Sequence, residues 1–425
     1  MHVSAFLDVD VIALEQHDTV TVLLEMTAPP APQLLIERPA HTIVVVLDRS
    51  GSMHGDRLDA AKSALLSLID RLDPKDRLGV VTFDDSAQVV IPATALGDYG
   101  KDNARALVHG IYTGGNTDLS SGYLRGIQEA RRVAGKTGAT IVLLSDGQAN
   151  AGVTDPTQLL GLARDAHKKG VTTSTIGIGR GYDETVLTAI TSGGAGNHSF
   201  ADIAEQAATA LAAEVTGLLN KTVQAASLYI KPGHEISTIA VLNELPCTGV
   251  NDGILVELGD FYGDETRRIV LTIEVPGRRE LGLTSIADLE FRYVELPALV
   301  EHTVKLPLAV NVLPGDEAAH RIRKPEVERE KLLLEVQREK LRGEESLRRG
   351  DVGGARSAMV AASLLLDSAP AALRNEDVIS ESNWFAASLG TLDTEDESYN
   401  RKRMSSSRMK HERGTRGREQ GGEIV

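Results

Sequence analysis

The chain has 425 residues, 42% of them hydrophobic but only 4% aromatic, and 60 acidic against 45 basic side chains give a net charge of −15. That length predicts two or three domains with aliphatic cores, and the acidic balance argues against general nucleic-acid binding. A single cysteine, Cys247, excludes an internal disulfide framework or a cysteine-based metal cluster.

No apolar run approaches the ~18 residues that a membrane span requires. The amino terminus, MHVSAFLDVDVIAL, lacks the basic-then-apolar layout of a signal peptide, so a cytoplasmic location is expected. Oligomeric state has no signature in the sequence.

Residues 1 to about 40 read as β-rich. In Thr19 to Met26 (TVTVLLEM), Val20, Val22, Leu24 and Met26 alternate with Thr19, Thr21, Leu23 and Glu25, which predicts a half-buried strand. The proline-rich stretch Ala28 to Gln33 breaks it and marks a crossing between domains. Next comes HTIVVVLDRSGSM, His41 to Met53. Thr42 to Leu47 is a short apolar run rich in β-branched residues, as in a strand buried on both faces. It ends in Asp48, Ser50 and Ser52 at alternate positions, with Gly51 allowing a tight turn.

From His41 to about Asn220 strands and helices alternate. Leu58, Ala61, Leu65, Leu68 and Leu72 recur at helical spacing, with Pro74 as a stop. Leu78 to Phe83 is a second buried strand, and Ala87 to Ile91 an antiparallel edge strand after the turn Asp84–Ser86. A helix near Lys101 to Ile111 leads into TGGNTD, Thr113 to Asp118. A helix over Leu119 to Ala134 follows, then the buried strand Ala139 to Leu144, ending in Ser145–Asp146–Gly147. A helix over Pro156 to Lys168, a strand over Val171 to Ile178, a short strand Asn197–Phe200 and helices near Asp183–Thr191 and Ile203–Leu219 complete the pattern. Such alternation predicts a mostly parallel sheet with helices on both faces.

Between Thr222 and about Leu313 the period returns to two, as in RIVLTIEV (Ile269, Leu271, Ile273, Val275) and TVKLPLAVNV (Val304, Leu306, Leu308, Val310, Val312). This predicts an antiparallel β-sandwich over residues 221–313, to which residues 1–40 add strands while the α/β domain, 41–220, is inserted between them. Residues 314–370 read as an αα-hairpin joined at Gly350–Asp351, similar to a single tetratricopeptide-like pair and read as a packed appendage. Residues 371–425 read as a flexible tail, first acidic (Asp393, Glu395, Asp396, Glu397) and then basic, with eight Lys/Arg against three Glu from Arg401 to Val425. Such a tail suits an acidic partner or the chain's own acidic surface.

Three polar clusters therefore fall at or beside the carboxyl ends of strands, where open α/β sheets place their ligands. Asp48, Ser50 and Ser52 form an oxygen-only set suited to a hard divalent cation. In this order DRSGS, GGNTD (Gly114–Asp118) and LLSDG (Leu143–Gly147) resemble the metal-ion-dependent adhesion site of the von Willebrand factor A domain family. The resemblance covers about residues 41–220 and includes TIGIG at Thr175–Gly179. It implies a Rossmann-like, doubly wound sheet and a non-enzymatic module for protein–protein interaction. Ser50 and Ser52 would bind Mg²⁺, or Mn²⁺ or Ca²⁺, through their hydroxyls. Thr117 would join directly or through water, and Asp48 and Asp146 through bound waters or hydrogen bonds. Because hydroxyls donate little charge, the ion stays electrophilic, and a partner's carboxylate can replace one of its waters. Asp118 reads as the cap of the helix that follows. The split sandwich also resembles integrin-type and inter-alpha-inhibitor heavy-chain-like proteins; that layout implies that movement of the last A-domain helix, about Ile203–Leu219, changes the angle to the second domain.

Two other classes compete. Phe6–Val11 (FLDVDV) fits the start of a haloacid-dehalogenase-like phosphatase, with Asp8 as nucleophile and Asp10 beside it, yet it precedes a β-type segment instead of closing a strand of the α/β domain. A metal-independent scaffold would need none of the five oxygens. Gly177, Gly179 and Gly181 lack the spacing of a dinucleotide loop and read as a strand-end turn. There is no Walker loop, HExxH or GxSxG, and no catalytic set is expected.

Overall fold

The computed structural model describes residues 1–30, 40–135, 137–146, 148–179, 181–392 and 394–412. Residues 31–33 of the proline-rich break, Gly147 of the third motif, Asp393 and residues 413–425 of the tail lie outside the described residues. The chain divides into two compact units, one from the described residues of 1–31 and 222–425, the other from those of 32–221.

Three strands open the chain: β1 (His2–Leu7), β2 (Val11–Ala13) and β3 (Asp18–Thr27). The inserted unit then runs β4 (Thr42–Asp48), α1 (Asp56–Arg71), β5 (Arg77–Phe83), β6 (Ala87–Ala95), α2 (Leu96–Tyr99), α3 (Lys101–His109), α4 (Leu119–Val133), β7 (Ala139–Ser145), α5 (Pro156–His167), β8 (Val171–Ile178), α6 (Glu184–Gly194), β9 (Ala195–Ala201) and α7 (Ala204–Leu219). Its sheet has the order β6-β5-β4-β7-β8-β9. Only β6 is antiparallel to its neighbour. Numbered from β4 as the first strand, that order is 3-2-1-4-5-6, the doubly wound arrangement.

Every residue of β4 and β7 is buried, which is why both read as unbroken apolar runs. Val44, Val46, Val81, Phe83, Ile141 and Leu143 present one face, packed against Tyr123 and Ile127 of α4, Leu159 and Ala163 of α5, and Val186 and Ile190 of α6. Val45, Leu47, Val80, Val142 and Leu144 alternate to the other. Gly122 and Gly126 let α4 approach closely: a side chain at the first would overlap the Phe83 ring, and at the second Val46.

The remaining elements are β10 (Lys221–Pro232), β11 (Thr238–Val241), β12 (Cys247–Val250), β13 (Gly253–Tyr262), β14 (Thr266–Val275), β15 (Gly282–Glu295), β16 (Val300–Leu313), α8 (Gly315–Ala318), α9 (Pro325–Arg348), α10 (Val352–Asp367), α11 (Glu376–Thr391) and α12 (Glu397–Glu412). They build a four-stranded sheet, β1-β3-β14-β11, and a six-stranded one, β12-β13-β10-β15-β16-β2. Pairing is antiparallel for β1–β3, β3–β14, β14–β11, β12–β13, β10–β15 and β15–β16, and parallel for β16 with the short β2. Val20, Val22 and Leu24 of β3, Ile230, Phe261, Leu271, Phe291 and Val310 share one core between the sheets. Val327 and Leu334 fasten α9 to Leu23 and Val270 of the smaller sheet.

Beyond α10 the structure differs from the expected flexible tail. The hairpin turns at Gly350, whose φ of 73° suits glycine, and Asp351 caps α10. Two further helices then pack on it. Asn375 caps α11, whose Val378 and Phe385 join the core of α9 and α10. In α12, a chain of Lys, Arg and Ser, every residue from Ser398 to Arg408 is at least half-buried. Polar contacts replace an apolar stripe there. The fully buried Lys340 pairs with Glu381 at 2.7 Å, bonds Ser407 at 2.8 Å and lies 4.0 Å from the centre of the Trp384 ring. Met404 adds one apolar anchor.

The glycine contacts yield a paired expectation for thermal unfolding. Gly126→Ala gains helix propensity but overpacks Val46, a net loss of roughly 1–2 kcal/mol and a lower melting temperature. Gly161→Ala in α5, where an added methyl meets nothing within 4 Å, gains roughly 0.5–1 kcal/mol. Calorimetry on the two variants checks both signs.

Candidate metal centre

In a sheet ordered 3-2-1-4-5-6 the first and fourth strands are neighbours whose helices leave in opposite directions, opening a crevice at their carboxyl ends. Those strands are β4 and β7, paired parallel with Leu47 opposite Leu144. The residues that follow, Asp48 and Ser145–Asp146, are brought together at that point. Ser145 Oγ donates to Asp48 Oδ2 at 2.6 Å, and Ser50 N–H donates to Asp48 Oδ1 at 2.8 Å.

The chain of contacts continues through the hydroxyls. Ser50 Oγ lies 3.0 Å from Ser52 Oγ, and Ser52 Oγ donates to Asp146 Oδ1 at 2.7 Å. Arg57, from the first turn of α1, donates from Nη1 to Asp146 Oδ2 and to the Ser52 carbonyl. Asp48 and Asp146 are buried, as is Ser50. Four of the five expected residues thus form one continuous set.

Thr117 sits on the neighbouring loop. Gly114 N–H donates to the Arg49 carbonyl at 2.7 Å, and Gly51 N–H to the Gly115 carbonyl at 3.0 Å, so this loop and DRSGS are laced together by backbone. Asn150 clamps Thr117 from both sides: its Oδ1 accepts from Thr117 N–H at 3.0 Å, and its N–H donates to the Thr117 carbonyl at 3.2 Å. The Thr117 hydroxyl bonds to none of the other four residues. Asp118 caps α4, accepting from Ser121 N–H at 3.0 Å, the structural alternative the sequence offers.

The sequence reading gives no role to Arg57, Ser145, Asn150 or the Arg49–Asp84 pair. Arg49 and Asp84 meet at 2.8 Å beneath the glycine loop. Only Asp84 and Ser145 carried a signal, being polar residues at strand ends; Arg57 and Asn150 act from positions that no short motif marks.

Burial pushes the Asp48 carboxyl up to about 6; hydrogen bonds from Ser145 and Ser50 work against this, and the nearby Asp146 charge adds to it. The donor set suits a cation. Mg²⁺ takes oxygen ligands near 2.1 Å, which puts adjacent corners of its octahedron about 3.0 Å apart, and the two hydroxyl oxygens stand 3.0 Å apart. Among the described residues no three His, Cys, Asp or Glu side chains cluster as metal ligands.

Residues 42–214 match the sequence pattern described as "von Willebrand factor type A domain". This segment is a von Willebrand factor type A domain. Domains of this family are generally protein–protein interaction modules, and they commonly hold a divalent cation. The uncharacterized protein sll0103 of Synechocystis is 31% identical over 261 residues, which are 57% of this chain and 60% of that protein. Inter-alpha-trypsin inhibitor heavy chain H1 of Sus scrofa is 33% identical over 147 residues, 32% of this chain and 16% of that one. The chain thus spans less than two thirds of either relative. A solved structure titled "von Willebrand factor type A from Catenulispora acidiphila" shares the fold with a TM-score of 0.73 at 15% identity, covering 97% of both chains.

Asp8 lies outside the A domain and follows β1, which pairs antiparallel with β3. Its buried carboxylate accepts from Thr21 N–H at 2.8 Å and Val9 N–H at 2.9 Å and pairs with Arg323. Asp10 is exposed. The carboxyl end of a parallel strand, which a haloacid-dehalogenase-like nucleophile needs, is not where Asp8 stands. Its structural bonds account for it.

Because the folded carboxyl of Asp48 titrates above its unfolded value of about 3.9, its contribution to stability is complete below that value and is lost as pH rises through about 6. In EDTA, Asp48→Asn should therefore melt higher than the parent at pH 7, and this gain should vanish at pH 4. The corresponding free energy is on the order of 2–3 kcal/mol. Melting curves across that pH range check the sign.

Proposed function

We propose that the A domain is a divalent-cation-dependent interaction module that grips an acidic residue of a partner protein. The observation that carries this reading is the hydroxyl pair Ser50 and Ser52, set at the spacing of adjacent ligands with Asp48 and Asp146 behind it.

Ser52 donates its hydroxyl hydrogen to Asp146, which leaves the Ser52 oxygen as an acceptor or ligand. Ser50 is oriented by the bond from its own N–H to Asp48. Thr117, held by Asn150, stands ready on the adjoining loop to donate directly or through water. When bound, the cation supplies a Lewis-acidic position whose water a carboxylate can replace. Mg²⁺ is the ion we assign, with Mn²⁺ and Ca²⁺ taking the same oxygens. Nothing in this reading requires bond making or breaking, so we assign the module no enzymatic step.

Calorimetric titration of Mg²⁺ and Mn²⁺ into the intact protein and into Ser50→Ala/Ser52→Ala tests it. Saturable one-site binding in the first, lost in the second, is the expected result, and an EDTA-sensitive partner pull-down should follow. Equal binding by both proteins, or by neither, would leave a metal-independent scaffold.

A further inference from the structure

Arg57 is placed where a divalent cation's counter-charge is decided. Its Nη1 donates to the Asp146 oxygen that Ser52 does not use, and also to the Ser52 carbonyl at 3.2 Å. Asp146 is buried, whereas the Arg57 side chain is 39% exposed. The guanidinium also lies against Gly179, where a side chain would crowd it at 3.1 Å, so the turn after β8 is shaped around it.

The charges at the site do not sum as the motif alone suggests. Asp48 and Asp146 would together cancel a divalent ion. Arg57 takes back one of those charges, through a charge-assisted bond to the acid that backs Ser52. Asp48, in contrast, is held among the described residues by hydroxyl and N–H donors. A cation on Ser50 and Ser52 is then left short of one negative charge from the protein.

We propose that Arg57 is a charge-balancing, positioning residue that keeps the bound cation half-neutralised, so that an external carboxylate supplies the missing charge. This rests on the cation reading of the site. It makes cation and acidic ligand bind cooperatively: each is held weakly alone and tightly together, because each provides what the other lacks. A merely structural arginine, tying α1 to β7, would have the opposite signature, since its loss would loosen Ser52 and weaken metal binding.

The test is calorimetric titration of MnCl₂ into the metal-stripped full chain, its variants Arg57→Gln, Arg57→Met and Arg57→Lys, and Ser50→Ala/Ser52→Ala. Removing one positive charge a few ångströms from a divalent ion, in a partly solvent-exposed setting, should tighten Mn²⁺ binding roughly tenfold in the Gln and Met variants. The Lys variant, which keeps the charge, should stay within about twofold of the parent. In EDTA the Gln and Met variants should melt below the parent, because Asp146 loses its partner, yet show the larger rise on adding Mn²⁺. Unchanged or weaker binding in both, with the parent still binding, overturns the role of Arg57 and leaves the cation site standing. Absence of binding in parent and Arg57 variants alike, matching the double serine variant, overturns both.

Discussion

The site depends on the parallel pairing of β4 with β7. Because these strands are neighbours in space though not in sequence, the last residue of one and the two that close the other share a few ångströms of buried ground. The Ser145-to-Asp48 hydrogen bond, 2.6 Å long, is the direct expression of that adjacency. A carboxylate placed there is costly to ionise, and the fold answers with three kinds of donor: a hydroxyl, a backbone N–H and, for the neighbouring acid, a guanidinium. The two acids are thereby unequal. Asp146 is ion-paired to Arg57, while among the described residues Asp48 is held by hydroxyl and N–H donors.

Much of the α/β unit was legible because its signals are local. Thr42 to Leu47 and Ala139 to Leu144 read as buried strands from their apolar runs alone, and Asp48, Ser50, Ser52 and Asp146 fall on the loops that such strands must present. What stayed hidden depends on tertiary encounters. Arg57 is one polar residue in the first turn of a surface helix, and nothing in its spacing says that it faces Asp146. Asn150 likewise acts through a partner thirty-three positions earlier. Thr117 shows the limit from the other side: a motif can name a residue and its loop without fixing where its hydroxyl points.

The carboxyl-terminal helices failed to be read for a different reason. Composition tests for disorder count charges and apolar residues but not their pairing. By that measure residues 397–408 have little to bury. Yet Lys340 offers them a buried ammonium group, Glu344 meets Arg408 at 3.4 Å, and Asn400 closes on Thr391 at 3.0 Å. A polar helix with no stripe of its own is ordered here by polar partners, Lys340 and Glu344 among them more than sixty residues upstream. Sequence periodicity could not reveal a match between two surfaces that are both hydrophilic.

The glycine loop beneath the proposed cation site divides its residues into the fixed and the free. Gly114 faces Asp84, which is buried and ion-paired to Arg49, so no side chain fits there without breaking that pair. Tyr112, by contrast, is 71% exposed, and Asn116 reaches outward to the exposed Asp85. Substitutions at Tyr112, Asp85 and Asn116 would change the exposed surface of this loop, whereas one at Gly114 would disturb the Arg49–Asp84 pair.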